Sequence, residues 1–565
     1  MSNARLLLAG AFALAFWFTV VRSRISPWWP VGTALAFAVL AIAHARVLER
    51  IARARGAERV YLRGLERIRG HWAGTGRDGA HFLDEHPYAR DLDLFGRASL
   101  FELLNTARTE AGEATLAGWL RAGAPADEVL ARQAAVGELR EAVDLREDLA
   151  VLAAETAISR TSALAEWTLA PSIGFARGAA YMLAGCGAIA VALAVLVFAE
   201  QIAARWLMLW LLTEAAIGIA WQRRFQRVLA DVDAPDRDLG LLAGLLGRIE
   251  AERFRSPRLT ALQASLLTHG VPPSRRIAQL RRMVSWLDSA RNQMFALIAY
   301  ALMLPQQLAV AIDRWHASYG HAVAEWLRVV GELEALSAVA TYGYEHPTDP
   351  FPTLIEHGPV FDAVALAHPL IPVETSVSND VHLGGDDPHV IVISGSNMSG
   401  KSTLLRSVGV NVVLALAGAP VRAATLRLSP LVLGATLRVE DSLEAGRSRF
   451  YAEILRIRTI VDAARGPVPM LFLLDEILHG TNSYDRRIGA EAIVRALAAS
   501  GAVGLVTTHD LALTELPSRL NVPAANMHFE DRLEAGRMVF DYRMRPGVVE
   551  HSNALALMRA IGLEV

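Results

Sequence analysis

The sequence predicts an α/β domain at its C-terminal end, preceded by an all-α region that carries two apolar helical hairpins. Three observations predict this. Four apolar runs, only the last of them holding an acidic residue, fall in two pairs, at residues 6–45 and 178–221. From about Phe351 onward, short buried-strand patterns alternate with helical ones, the mark of an α/β layer. One of those strands runs straight into a glycine loop, Gly395-Ser-Asn-Met-Ser-Gly400.

The composition fits a multidomain chain of 565 residues. Lys+Arg 56 against Asp+Glu 58 leaves a net charge of -2, so there is no global basic signal for nucleic acid. Hydrophobic residues make up 53%, an excess concentrated in the apolar runs. The single cysteine, Cys186, cannot form an intramolecular disulfide and reads as a small core residue.

Residues 6–21 and 31–45 form the first apolar pair, 178–199 and 206–221 the second. A membrane-crossing helix needs ~20 apolar residues, ~17 at the short end. The shorter runs are flanked by arginines and by Trp28, Trp29, Trp206, Trp210 and Trp221, which anchor at an interface. Arg46, Arg50, Arg53, Arg55 and Arg59 follow the first pair, and Arg223, Arg224 and Arg227 the second. Positive charge stays cytosolic, so both hairpins are expected to enter and leave on that side. The expectation is a multi-pass protein of the inner (plasma) membrane with its α/β domain in the cytoplasm. Buried core helices are the competing reading. Glu214 inside the fourth run is either functional within the membrane or close to an interface, and 294–305 reads as a core helix.

The resulting organisation is a transmembrane hairpin over 1–46 and a cytosolic linker helix over 47–90. A helical core domain follows over 91–175, then a second transmembrane hairpin over 176–222. A helical core or lever region over 223–355 leads into the α/β domain over 356–565.

Lys401 is the only lysine of the chain; every other basic position is arginine. It closes Gly395-Ser396-Asn397-Met398-Ser399-Gly400-Lys401-Ser402-Thr403, the phosphate-binding pattern G-x-x-x-x-G-K-[ST]. A cradle of backbone N–H groups admits a slim stem ending in an ammonium, where the planar guanidinium does not fit. The strand Val390–Ser394 before the loop and the helix after it supply the required context. A second strand, Met470–Leu474, ends in Asp475 and Glu476. Asp475 is placed to order Mg²⁺ and Glu476 to polarise the attacking water. A third, Val503–Thr507, ends near His509, a candidate γ-phosphate sensor. Together they predict a P-loop ATPase that uses ATP and Mg²⁺.

These residues resemble the MutS family of DNA mismatch repair ATPases. The loop GSNMSGKST, the segment RVEDSLEAGRSRF (438–450), the run LFLLDEILHGTNSYDRRIGAEAI, the histidine loop TTHDLALTEL, and a tail from NMHFEDRLEAG to HSNALALMRAIGL are similar to the family's motifs. Residues 99–139 resemble the start of the family's core domain. The resemblance implies an ABC-like fold of MutS type, two copies paired through their ATPase domains, and a composite active site. It implies that Ser448 contacts the partner's γ-phosphate and Asn397 helps to read it, and that Lys401 and Ser402 hold phosphate and Mg²⁺. His528 matches a histidine that stacks on adenine, and the tail is expected to close as a helix-turn-helix. Two positions depart from the family: Ser376-Val377 stand where an aromatic contacts the base, and Arg449 stands in place of threonine.

The family's mismatch-reading domain has no room before residue 91, and no basic patch with interleaved aromatics stands out. DNA is therefore an expected partner only through backbone contacts and shape, without mismatch specificity. The alternative is a membrane remodelling or transport-coupled machine. An ordinary ABC exporter is disfavoured by four spans and the lack of an LSGGQ-like signature.

Overall fold

The computed structural model describes residues 2–20, 26, 28–84, 86–154, 164, 166–167, 170–231, 236–267, 270–290, 293–396, 398–438, 449–534 and 537–549. Asn397, Ser448 and the tail from 550 onward lie outside the described residues.

The N-terminal two thirds are helical. Ser2–Val20 packs against the first turns of Trp28–Ile68, and Ala179–Phe198 against Ala204–Asp231. Trp28–Ile68 and Ala179–Phe198 are long and apolar enough to cross a membrane, by length and composition. Their outer faces carry large apolar side chains with no protein cover: Leu35 is 67% exposed and Phe198 93%. Trp28–Ile68 is one helix, so the boundary expected at residue 46 between hairpin and linker does not exist as a break. No glycine-proline or turn sequence interrupts ARVLERIARARGAERVYLRGLERI, and its arginine-rich face continues the same helical register. Residues 70–84 and 86–99, by contrast, hold turns, extended chain and one short 3-10 helix, Ala80–Phe82, with Trp72 and Leu92 buried in the main core.

Leu304–Glu345 is the axle of the molecule. It packs against Glu110–Arg121, Ala126–Glu141 and Pro273–Ala290, and Trp326 on it is fully buried. At Gly331 the helix comes so close to its neighbour that a Cβ would sit 2.8 Å from the Ala111 backbone. The helices of 236–290 fold back onto this axle and onto one another. The helix Gln293–Ala301 is a core helix on one face only, since Ala299 is buried while Leu297 is 84% exposed. Glu214 is buried, its Oε1 accepting from the Trp210 indole at 2.9 Å.

One buried carboxylate ties helix ends together. Glu334 on the axle accepts from the backbone N–H groups of Arg108 and Thr109, each at 3.2 Å, and from the Thr109 hydroxyl. Thr109 in turn caps the helix Glu110–Arg121 by accepting from the Gly112 N–H. Burial pushes the Glu334 carboxyl up, against the pull of those three donors. Glu334→Ala strands buried donors and leaves a void, so a loss of about 3 kcal/mol is expected. A lowered unfolding midpoint of the detergent-solubilised protein would show it.

The α/β part holds two sheets. The smaller has the order β1 (Thr353–Leu354), β5 (Thr425–Leu428), β2 (Val360–Leu366), β3 (Asn379–Gly384). The larger runs β10 (Arg537–Pro546), β9 (Ala524–Glu534), β4 (Val390–Ser394), β8 (Val503–Thr508), β7 (Met470–Asp475), β6 (Val432–Thr436). It is parallel except for the β9–β10 pair. Alternation along the central strands sorts its two faces. Ile391, Ile393, Leu471, Leu473 and Leu505 join the core shared with the helical body. Val390, Val392, Phe472, Leu474 and Val506 form a second core with the helices Arg449–Ala463 and Ser483–Ala499.

The helix-turn-helix expected from Asn526 is corrected over the described residues Ala524–Glu534 and Arg537–Pro546. These are two antiparallel strands, the first of which lies parallel beside β4. Met527, Phe529 and Leu533 follow a period of two, which suits a strand and not an amphipathic helix.

Candidate nucleotide site

The loop 395–400 leaves the C-terminal end of β4, the most central place in the larger sheet, as binding crevices in open α/β sheets do. Strand β4 is buried along its whole length, and the helix Lys401–Ala417 starts at Gly400 with its free N–H groups facing the loop. Gly400 has φ 105 and Gly395 φ 150. A Cβ on Gly395 would lie 3.0 Å from Ser399 Oγ and 3.1 Å from Phe529 O, so the loop has no space to spare there.

Lys401 is 4% exposed, and its Nζ donates to Gly395 O at 2.9 Å and Ser396 O at 2.8 Å. The ammonium therefore sits inside the loop it closes. The hydroxyls of Ser396 and Ser399 are buried without a hydrogen-bond partner. An anion bearing several acceptor oxygens fits such a cradle of unmet donors. Met398, at φ 69, is 86% exposed at the tip. Thr403 is exposed, and its carbonyl accepts from Ser407 Oγ.

The neighbouring strand ends bring the acidic pair to the loop. Cα pairing sets Asp475 opposite Thr507, whose hydroxyl donates to Asp475 Oδ1. The Glu476 N–H donates to Thr507 Oγ1 at 3.1 Å, and Glu476 stands at φ 47. Its Oε1 lies 3.4 Å from Lys401 Nζ, and its Oε2 accepts from His479 Nε2 at 2.8 Å. His509 Nδ1 is 3.5 Å from the same Oε2. Burial works to raise the Glu476 carboxyl, but the His479 hydrogen bond, Lys401 and His509 outweigh it and hold it below the usual carboxylate range. It is a carboxylate at neutral pH.

A cleft of about 690 Å³ opens beside these groups. Lys401, Ser402, Thr403, Asp475, Glu476 and Met398 line it, together with Ser376 and Val377. Ser402 and Asp475 offer a hydroxyl and a carboxylate to one space, the hard oxygen donors that suit Mg²⁺. His528 lies on β9 opposite Ser394, with Nδ1 3.2 Å from Gly547 O, and is not among the residues lining the cleft.

Sequence reasoning missed three lining groups. Tyr542 occupies the register shift between Phe540 and Met544, at φ 56, with its Cδ1 3.2 Å from where a Gly400 Cβ would be. Asn379 fixes that bulge from the smaller sheet, donating to Tyr542 O at 3.0 Å and accepting from Met544 N at 2.7 Å. His368 also faces the cleft; burial, with Arg406 nearby, lowers its imidazole to about 4, so it is neutral, and its Nδ1 accepts from Leu370 N. No motif announced them, because each arrives through a turn or bulge rather than through a spacing.

A family model described as MutS domain V matches residues 391–564. The DNA mismatch repair protein MutS of Natronomonas pharaonis is 34% identical over 268 residues, covering 46% of this chain and 29% of that protein. DNA mismatch repair protein MutS 2 of Halobacterium salinarum is 34% identical over 264 residues, with 46% and 29% covered. MutS of Thermus aquaticus is 33% identical over 250 residues, with 43% and 29% covered. The chain thus spans less than a third of the length of these relatives.

Proposed function

We propose, from the match of residues 391–564 to MutS domain V, that this chain is a membrane-anchored MutS-like ATPase. ATP binding and hydrolysis gate a pair of heads linked to DNA. The observation that carries the reading is the buried Lys401 ammonium, held by two loop carbonyls and facing the Glu476 carboxylate across the cleft.

In this reading the nucleotide's phosphates occupy the loop, where Lys401, the orphaned Ser396 and Ser399 hydroxyls and the helix N-terminus offer donors. Asp475 and Ser402 would hold Mg²⁺, which supplies charge neutralisation on the phosphates. Glu476 Oε2 orients and deprotonates the attacking water, and the His479 bond to that oxygen keeps it ionised. Thr507 fixes Asp475 and the Glu476 backbone together, so both carboxylates keep their places. Ser448 and Asn397 are assigned to the partner-facing γ-phosphate contacts, and His528 to the base.

The membrane half of the reading is supported by apolar faces that water would not tolerate in bulk: Tyr181, Phe198, Met208, Leu212 and Ile219 are all more than 60% exposed. Two helical hairpins in the bilayer would cover them.

The test is ATP turnover by carbonate-resistant, detergent-purified protein without DNA and with homoduplex, mismatched and branched DNA. Turnover is expected to rise with duplex or branched DNA and to differ by less than about tenfold between matched and mismatched duplex, that is by less than roughly 1.4 kcal/mol. Turnover indifferent to every DNA would instead favour a membrane-remodelling or transport-coupled motor. Release of the protein by carbonate would remove the anchor from the proposal.

A further inference from the structure

His479 lies inside the run that follows the acidic pair but has no role assigned by that motif, and the fold holds it in a defined place. Glu476 at φ 47 and Leu478 at φ 62 are both left-handed, which costs of order 1–3 kcal/mol for each such residue. The turn is braced from two sides. Leu478 N donates to the buried Glu453 carboxylate at 2.6 Å, and Arg486 donates to Leu478 O at 3.2 Å and His479 O at 3.3 Å. The result folds His479 back beside Glu476, its ring stacked on His509 with centroids 4.9 Å apart and planes 20° from parallel.

Three ligand atoms converge there. Glu476 Oε2, a His479 ring nitrogen and a His509 ring nitrogen all lie within 4.8 Å of one another. Two of the separations are 2.8 Å and 3.5 Å. In a tetrahedral zinc site with ligands about 2.0–2.1 Å from the ion, neighbouring ligand atoms stand about 3.3 Å apart. The observed separations bracket that value. Two imidazoles and one carboxylate suit zinc and its neighbours, whereas Mg²⁺ prefers an all-oxygen shell. All three side chains are partly exposed, so an ion and a fourth, water ligand can reach them. Lys401 approaches the other oxygen, Oε1, and opposes the incoming charge without blocking Oε2.

We propose that Glu476, His479 and His509 form a transition-metal site of the Zn²⁺ type, separate from the Mg²⁺ position at Asp475 and Ser402, and that its occupancy stops hydrolysis while nucleotide binding persists. The ion would take the oxygen needed to activate water and the imidazole expected to sense the γ-phosphate. It would leave Lys401 and the phosphate loop free. The inhibitory half rests on the hydrolytic role proposed above; the metal site itself does not.

The experiment uses the full-length protein in detergent, stripped of metal and free of nucleotide. Zn²⁺ is titrated against a chromophoric chelator, and Co²⁺ is added in parallel for its visible d–d absorption. The parent should bind one ion per chain in competition with the chelator and give a tetrahedral Co²⁺ spectrum. His479→Asn and His479→Arg should each lose at least tenfold in affinity and lose the spectrum. Equal affinity and spectrum in either folded variant would overturn the site. With saturating ATP and Mg²⁺, Zn²⁺ should stop turnover of the parent while bound ATP, measured by equilibrium dialysis, stays constant. Each variant should resist zinc relative to its own zinc-free rate. Undiminished turnover with the site filled would overturn the inhibitory role. A parent that binds zinc at His479 but turns over no ATP even when zinc-free would overturn the proposed ATPase function and leave the metal site standing.

Discussion

Lys401→Arg is expected to lose nucleotide binding by roughly a hundredfold or more, about 2.8 kcal/mol at 1.4 kcal/mol per tenfold. The charge is kept, so the loss must come from shape. The ammonium sits in a loop where it is 4% exposed and within 2.9 Å of two carbonyl oxygens. A guanidinium presents a wider plane and five fixed donors to a space built for a tapered stem. Lys401→Ala is expected to lose binding as well, and it leaves the Glu476 carboxylate without its nearest cation. Equilibrium binding of a fluorescent ATP analogue separates the outcomes. If Lys401→Arg binds within threefold of the parent, the loop does not cradle phosphate in the manner described.

Glu476→Gln is expected to leave ATP affinity within a few-fold and to lower turnover by about 10²–10⁴, the usual contribution of a general base. The amide keeps the size of the side chain and removes the proton acceptor. Because the folded carboxyl is held below its ordinary value, the parent's base is available above the usual Glu range and is lost only as pH falls through the lower folded value. The same sign applies to stability: the ion pair contributes above the unfolded pKa and fades below the folded one. The variant should accumulate ATP-bound dimer, read by size-exclusion chromatography with light scattering. Mixing Ser448→Ala with Lys401→Ala should recover part of the turnover, since each mixed pair retains one complete site. An unchanged turnover in Glu476→Gln would move the base elsewhere.

The parts of this site that a reader could see in the sequence are those that a strand must deliver. Strand β4, the glycine loop and Lys401 follow from one motif, and Asp475 and Glu476 follow from the end of a buried apolar run. His509 follows β8 in the same way. The rest depends on relationships that sequence spacing does not carry. Tyr542 reaches Gly400 only because a two-stranded pairing slips its register, and Asn379 holds it from another sheet. His479 meets Glu476 through two left-handed residues, neither of them glycine. The strands Ala524–Glu534 and Arg537–Pro546 differ from the helix that the family resemblance implies, and the period of two along the first is the local signal for strand. A change of charge after residue 46 suggests a division of Trp28–Ile68, yet charge changes along a helix without ending it.

Asp91 has a consequence of a different kind. Fully buried, it accepts from the N–H groups of Leu437 and Arg438 and pairs with Arg456, while Asp93 pairs with Arg438 beside it. Leu92, between them, fills the space over Gly409 on the helix that begins at Lys401, where a Cβ would come within 2.5 Å. Leu437 and Arg438 are the last residues before the stretch assigned to reading a partner's nucleotide. A short strap from the helical body therefore grips the head at both sides of that stretch and at the helix that begins at Lys401. The strap ties the helical body and the α/β head together through buried contacts. If the heads pair as proposed above, movement of the helices would change how they meet.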